Sequence, residues 1–310
     1  MKGVNELMKK ALLILAAGTA VLLTGCGGGS SSGDPAEKAV TSAINDMTQT
    51  KEGCFSCTFD GVKHDLILDL PGDTKDAPLV IMLHGYGGSA EDFRSTVHFE
   101  EKANPMGYAV AYVSGAPDPT DRTSANCWNS TEDPDGNKDT AFLVSLAEYL
   151  QKEYSLDKDR LYAAGFSNGA FMNHTLAAEA GGTFSACASV AGTMQESIWE
   201  KRGSSNNVSF LQITGAKDEV VPKNDDGTAK YTNKHGIEDV MSYWTDSNGA
   251  VFSGEYDLGK KSVLRKYENT GTGRQIWDVT VKDGRHGWYS QQLHGFDTGD
   301  LILEFFESVK

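Results

Sequence analysis

Leu161-Tyr162-Ala163-Ala164-Gly165-Phe166-Ser167-Asn168-Gly169 is a short apolar run ending in a G-x-S-x-G sequence. A run of this kind reads as a buried strand, and a serine between two glycines suits a sharp turn from strand into helix. Such a turn forces strained backbone angles on the serine and brings neighbouring main chain very close, so the flanking positions need residues without bulk. Ser167 is then expected to stand exposed above a sheet edge. A free serine hydroxyl is a poor nucleophile at neutral pH. The reading therefore requires a base, a residue that orients the base, and donors for an oxyanion. Read blandly, a chain with 34 glycines produces such a pentapeptide by chance.

Upstream, Pro78 to Leu83 is a continuous apolar run ending in His84-Gly85-Tyr86-Gly87-Gly88, which resembles the oxyanion loop after an early strand in α/β-hydrolases. Backbone N–H groups of Tyr86 and of Asn168 are the expected oxyanion donors. Downstream, Val208 to Thr214 reads as a buried strand, and Asp218 lies just past its end, where a carboxylate can hold an imidazole in one tautomer. Glu219, Asp225 and Asp226 are rivals for that role. In this architecture the base follows the acid. His286, in Asp283-Gly284-Arg285-His286-Gly287-Trp288, follows the period-two strand Gln275 to Val281 in a short glycine-flanked loop and is taken as base, with His294 as competitor. His174 lies about two helical turns beyond Ser167, too far along its helix.

Apolar runs continue along the chain. Strands are expected at 64–70, 78–83, 108–113, 161–164, 186–190, 208–214, 263–267 and 275–281, and helices at 139–154, 170–180, 237–248 and 298–308. Apolar strands interleaved with helices imply an α/β fold, a mostly parallel central sheet covered on both faces, with active residues at the strands' carboxyl ends. The stretch 115–138, rich in Pro, Asp, Asn and Thr, reads as a long loop on that side. Trp128 inside it, Trp288 beside the histidine, and His84 are candidate substrate-binding residues. Tryptophan is more often simple packing.

From about Phe59 to Phe306 the chain resembles the secreted esterase family that includes polyhydroxybutyrate depolymerase-like enzymes, feruloyl esterases and acetyl xylan esterases. The resemblance rests on HGYGGSAEDF, Cys127-Trp128-Asn129, the Asp139-led segment, the stretch Tyr154 to Met172, and Gly284-Arg285-His286-Gly287-Trp288. It implies an α/β-hydrolase fold and a serine esterase acting on feruloyl or acetyl groups of plant cell-wall polysaccharide. Polyhydroxyalkanoate or short-chain esters are the alternative. A serine peptidase of the same fold shares the chemistry, and a non-catalytic binding protein would be expected to have lost part of this set. The chain departs from the family at Ala170, where many members have glycine, and at Asn248-Gly249-Ala250, which lacks a cysteine many relatives carry. The second departure leaves no disulfide pairing to borrow.

Lys2, Lys9 and Lys10 precede the apolar run Ala11 to Leu23, and Leu23-Thr24-Gly25-Cys26 resembles a bacterial lipobox. A run of thirteen residues, apolar but for Thr19, falls short of the roughly 20 that span a bilayer, so the segment reads as a signal peptide over 1–25. Met1 and Met8 are both possible initiators. Cys26 is then the expected lipidated residue, 26–50 a flexible tether beginning with GGGSSSG, and 51–310 a single catalytic domain. The expected location is extracellular, lipid-anchored to the bacterial cell surface, as a monomer. A formal charge of −15 argues against nucleic acid as partner. Cys54, Cys57, Cys127 and Cys187 remain, an even number in an oxidising compartment, so disulfides are expected, with three possible pairings. No metal and no cofactor are expected, because a lone C-x-x-C has no partner motif.

Overall fold

The computed structural model describes residues 43–118, 123, 125–131, 138–204, 207–221 and 235–309. The expected signal peptide, Cys26 and most of the tether lie outside the described residues, as do Asp225 and Asp226. In chain order the first strands are β1 (Asn45–Lys51), β2 (Cys54–Phe59), β3 (Val62–Asp69), β4 (Leu79–Leu83) and β5 (Ala109–Val113). The short β6 (Ala116–Pro117) and β7 (Asn126–Cys127) pair with each other. Then come β8 (Leu161–Phe166), β9 (Ala186–Val190), β10 (Ser209–Gly215), β11 (Val251–Gly259), β12 (Ser262–Asn269) and β13 (Arg274–Val281). Helices are α1 (Ala90–Val97), α2 (Phe99–Ala103), α3 (Lys138–Tyr154), α4 (Asn168–Ala180), α5 (Glu196–Lys201), α6 (Ile237–Ser247), α7 (Gln291–His294) and α8 (Thr298–Ser308).

Strand order in the large sheet is β1-β2-β3-β5-β4-β8-β9-β10-β13-β12-β11. The six central strands from β5 to β13 run parallel, and antiparallel strands extend the sheet at both ends. β4 shows why its sequence reads as an unbroken apolar run. Leu79, Ile81 and Leu83 face one core with Phe142, Leu146 and Trp244, while Val80 and Met82 face another with Phe99, Tyr112 and Phe305. Alternating side chains meet helices on both faces, so neither set can be polar. Burying each such side chain contributes about 1.5–3 kcal/mol.

Two expectations need correction. The folded part begins ahead of residue 51, because β1 occupies Asn45–Lys51, all but the last of which were assigned to the tether. β1 is an edge strand of polar residues, nearly all exposed, so no period-two pattern announced it. The expected disulfides are absent among the described residues. Cys54 and Cys57 lie three apart on β2, on opposite faces and about 10 Å apart, beyond the roughly 7 Å limit for a bridge. Cys187 sits mid-sheet on β9, roughly 24 Å from β2 across the intervening strands. Burial pushes both the Cys187 thiol and the Cys57 thiol up, the latter to about 11, which keeps them protonated.

Candidate active site

Ser167 joins β8 to α4 with φ 51° and ψ −116°, a conformation that L-residues adopt only under strain. Its N–H donates to Val190 O at 2.9 Å, which pins the turn to the next strand. The flanking glycines are required by contact. A Cβ at Gly165 would lie 2.5 Å from the carbonyl of Gly169, and one at Gly169 would lie 2.2 Å from Leu83 O. Ala170, the departure noted above, is fully buried. Its methyl takes space that Gly192 leaves vacant, since a Cβ at 192 would sit 2.5 Å from it.

Three loops at the carboxyl ends of β8, β10 and β13 bring Ser167, Asp218 and His286 together. His286 Nδ1–H donates to Asp218 Oδ2 at 2.8 Å, and Ser167 Oγ–H donates to His286 Nε2 at 2.9 Å. The ionised carboxylate only accepts, so it fixes the neutral tautomer with the free lone pair on Nε2, facing the serine. Asp218 is itself held, its Oδ1 accepting from the N–H groups of Val220 and Val221 at 2.8 and 2.9 Å, with its side chain wholly buried. The two loops interlock through Lys217 N–H donating to Gly284 O at 2.9 Å. Of the rivals, exposed Glu219 pairs with Arg285. His294 Nδ1 accepts from Ser290 N–H at 3.2 Å within its own short helix.

Tyr86 and Asn168 both border the cleft that contains Ser167. Asn168 is the first residue of α4, so its N–H has no partner within the helix and lies at the positive end of the helix dipole. His84 differs from expectation: it is buried, and neither ring nitrogen is left for substrate. Gly115 N–H donates to its Nε2 at 2.9 Å, so its Nδ1–H donates to Gly85 O at 2.6 Å. Burial holds its pKa below the ordinary value, which keeps it in this neutral state. Trp128 is likewise buried. Its Nε1–H donates to His84 O at 3.1 Å, while its main chain and the Asn168 amide exchange two hydrogen bonds of 2.7 and 3.0 Å. Both residues brace the loops around the site, and Trp128, unlike His84, also borders the cleft. Trp288 packs edge-on against Phe93 at 5.6 Å and is not among the described residues bordering the cleft.

The cleft has a volume of about 910 Å³ and an apolar wall that includes Phe59, Phe142 and Phe171. Its rim carries an exposed ion pair between Asp60 and Lys138, of a kind worth little to stability. These wall residues went unassigned at the sequence level, although Asp60-Gly61, both at positive φ, is a hairpin-turn dipeptide that announces β2 and β3. Asp139, in the first turn of α3, also borders the cleft, and its Oδ2 accepts from Asn129 N–H at 2.7 Å. Burial raises its pKa from 3.8 to about 6, against the pull of that hydrogen bond. The folded state thus favours the protonated acid. That contribution is complete below 3.8, is lost as pH rises through about 6, and corresponds to about 3 kcal/mol. Asp139→Asn is therefore expected to raise stability at pH 8 by up to that amount, with the gain shrinking towards pH 4. Thermal unfolding of both proteins across this range checks it, and a gain independent of pH contradicts it.

Residues 64–208 match the family described as Esterase PHB depolymerase. A putative esterase, NocK, from Nocardia uniformis subsp. tsuyamanensis is 32% identical over 242 residues, 70% of this chain and 67% of that one. Feruloyl esterase B from Thermothelomyces thermophilus is 28% identical over 182 residues, 53% of this chain and 60% of that protein. Among solved structures, an acetyl xylan esterase from Aspergillus awamori superposes with a TM-score of 0.60 at 13% identity, over 79% of this chain and 94% of that one, a likeness of fold.

Proposed function

Because the chain belongs to the Esterase PHB depolymerase family and is a carboxylic ester hydrolase, we propose that it works through an acyl-enzyme on Ser167. The observation that carries this reading is the unbroken hydrogen-bond chain from Asp218 through His286 to Ser167. Ser167 Oγ attacks the ester carbonyl while His286 Nε2 takes its proton, and Asp218 stabilises the imidazolium so formed. The carbonyl oxygen becomes an oxyanion held by the N–H groups of Tyr86 and Asn168. Collapse breaks the bond to the alcohol, which leaves with the proton from His286. Water, deprotonated by the same imidazole, then attacks the acyl-enzyme, and Ser167 recovers its proton as the acid departs.

The substrate we infer is a feruloyl or acetyl ester of plant cell-wall polysaccharide. The feruloyl esterase relative and the phenylalanine-walled cleft support an aromatic acyl group. The apolar run 11–23 and the lipobox-like Leu23-Thr24-Gly25-Cys26 support export and anchoring at Cys26, ahead of a catalytic domain that starts near residue 45. A panel of methyl ferulate, acetylated xylan and polyhydroxybutyrate, run with wild type, His286→Ala and His294→Ala, tests the proposal. Turnover is expected on the first two substrates, with a loss of about 10⁴-fold or more in His286→Ala alone. Preference for polyhydroxybutyrate overturns the substrate, and inactivity confined to His294→Ala overturns the base.

A further inference from the structure

The two oxyanion donors belong to separate loops, and one strap of chain, Asn126–Asn129, ties them together. Towards the β4 loop, Gly87 N–H donates to Asn126 O at 2.8 Å, Asn126 Nδ2 donates to Gly88 O at 3.2 Å, and Trp128 Nε1 donates to His84 O at 3.1 Å. Towards the elbow, Trp128 N–H donates to Asn168 Oδ1 at 2.7 Å and Asn168 Nδ2 donates to Trp128 O at 3.0 Å. At its far end, Asn129 N–H donates to Asp139 at 2.7 Å. The strap also lies hard against Gly115, where a Cβ would meet Cys127 O at 2.2 Å, so it cannot settle closer to the sheet.

We propose that the Asn168 side chain and the Asp139 carboxylate are positioning residues for the oxyanion hole, acting through this strap. The inference rests on the assignment of Tyr86 and Asn168 N–H as the donors. A donor must lie about 2.7–3.1 Å from the oxygen as it becomes charged, so a shift of a few tenths of an ångström weakens the transition state more than the bound ester. Asn168→Ala keeps the backbone N–H and removes the two bonds that aim it. Asp139→Ala frees the far end of the strap, whereas Asp139→Asn retains an acceptor for Asn129 N–H.

The test measures kcat and KM for p-nitrophenyl acetate and the affinity for phenylboronic acid, whose adduct with the serine places a negative oxygen in the hole. It uses Asn168→Ala, Asp139→Ala, the double variant and Asp139→Asn, with thermal unfolding in parallel. Each alanine variant is expected to lose about tenfold in kcat, with KM within about twofold and boronate affinity falling alongside. Asp139→Asn recovers most of the loss, and the double variant falls little further than the worse single one, because both act through one strap. A loss carried by KM, unchanged boronate affinity, or losses that multiply to about a hundredfold overturns the proposal. Should Asp139→Ala fail to fold, Asn168→Ala and Asp139→Asn carry the same comparison. Wild-type kcat in these variants alongside an inactive Ser167→Ala rejects the positioning role alone, whereas an active Ser167→Ala rejects the underlying mechanism.

Discussion

Ser167→Ala is expected to lower kcat for p-nitrophenyl acetate by about 10⁴- to 10⁶-fold while leaving the thermal unfolding midpoint within about 2 °C of wild type. The substitution removes Oγ and nothing else. Alanine keeps the Cβ, so the strain at φ 51° is the same, and the N–H bond to Val190 O stays in place. His286 loses the hydroxyl at 2.9 Å but keeps Asp218 at 2.8 Å, so the imidazole remains oriented with no oxygen to activate. A small residue of catalysis is expected to survive from the proposed oxyanion donors alone. Full turnover in this variant would remove Ser167 from the chemistry, and a large drop in stability would mean the side chain is structural.

Gly169→Ala is the second large effect, and it acts on the fold. The added Cβ would sit 2.2 Å from Leu83 O, 2.6 Å from Leu83 C and 2.7 Å from His84 O. All three are main-chain atoms, so no rotamer change relieves the overlap. The first turn of α4 must lift off β4, which takes the Asn168 N–H and Ser167 out of register. A loss of about 3 kcal/mol or more is expected, a fall in the unfolding midpoint of about 6–12 °C for a domain of this size, together with loss of esterase activity. Gly182→Ala is the control, because nothing lies within 4 Å of the Cβ it adds. Equal stability in the two variants would show that the elbow yields more easily than its contacts imply.

The sheet's parallel centre was legible because its strands are buried on both faces. Leu79 to Leu83 carries no polar residue at all, and Ala186 to Val190 only the small Ser189, which leaves a nearly unbroken apolar signature. The antiparallel ends were harder. β1 and β11 are exposed along nearly their whole length, so their residues answer to solvent and carry no alternation. Ser167, Asp218 and His286 could be found because each follows a legible strand, in an order the architecture restricts. The strap could not. Its bonds run mostly through main chain; His84 suggests substrate contact but spends both ring nitrogens on neighbouring loops, while Trp128 borders the cleft and also braces a loop through Nε1. Asp139 was visible only as part of a resemblance, because a carboxylate's partner in space leaves no mark in spacing.

His286 is 119 residues from Ser167 and 68 from Asp218, and the interlocked loops that carry the histidine and the aspartate meet only across paired β10 and β13. Contacts this distant in sequence form late, since the chain entropy of closing such spans is spent before any pairing rewards it. The central pairing of β4 with β8 spans a comparable 82 residues, so a nascent or partly refolded chain can hold helices while the sheet and the three side chains are still unassembled. Ester cleavage through these residues is therefore expected only once the whole sheet has closed, never from a fragment that holds the elbow alone.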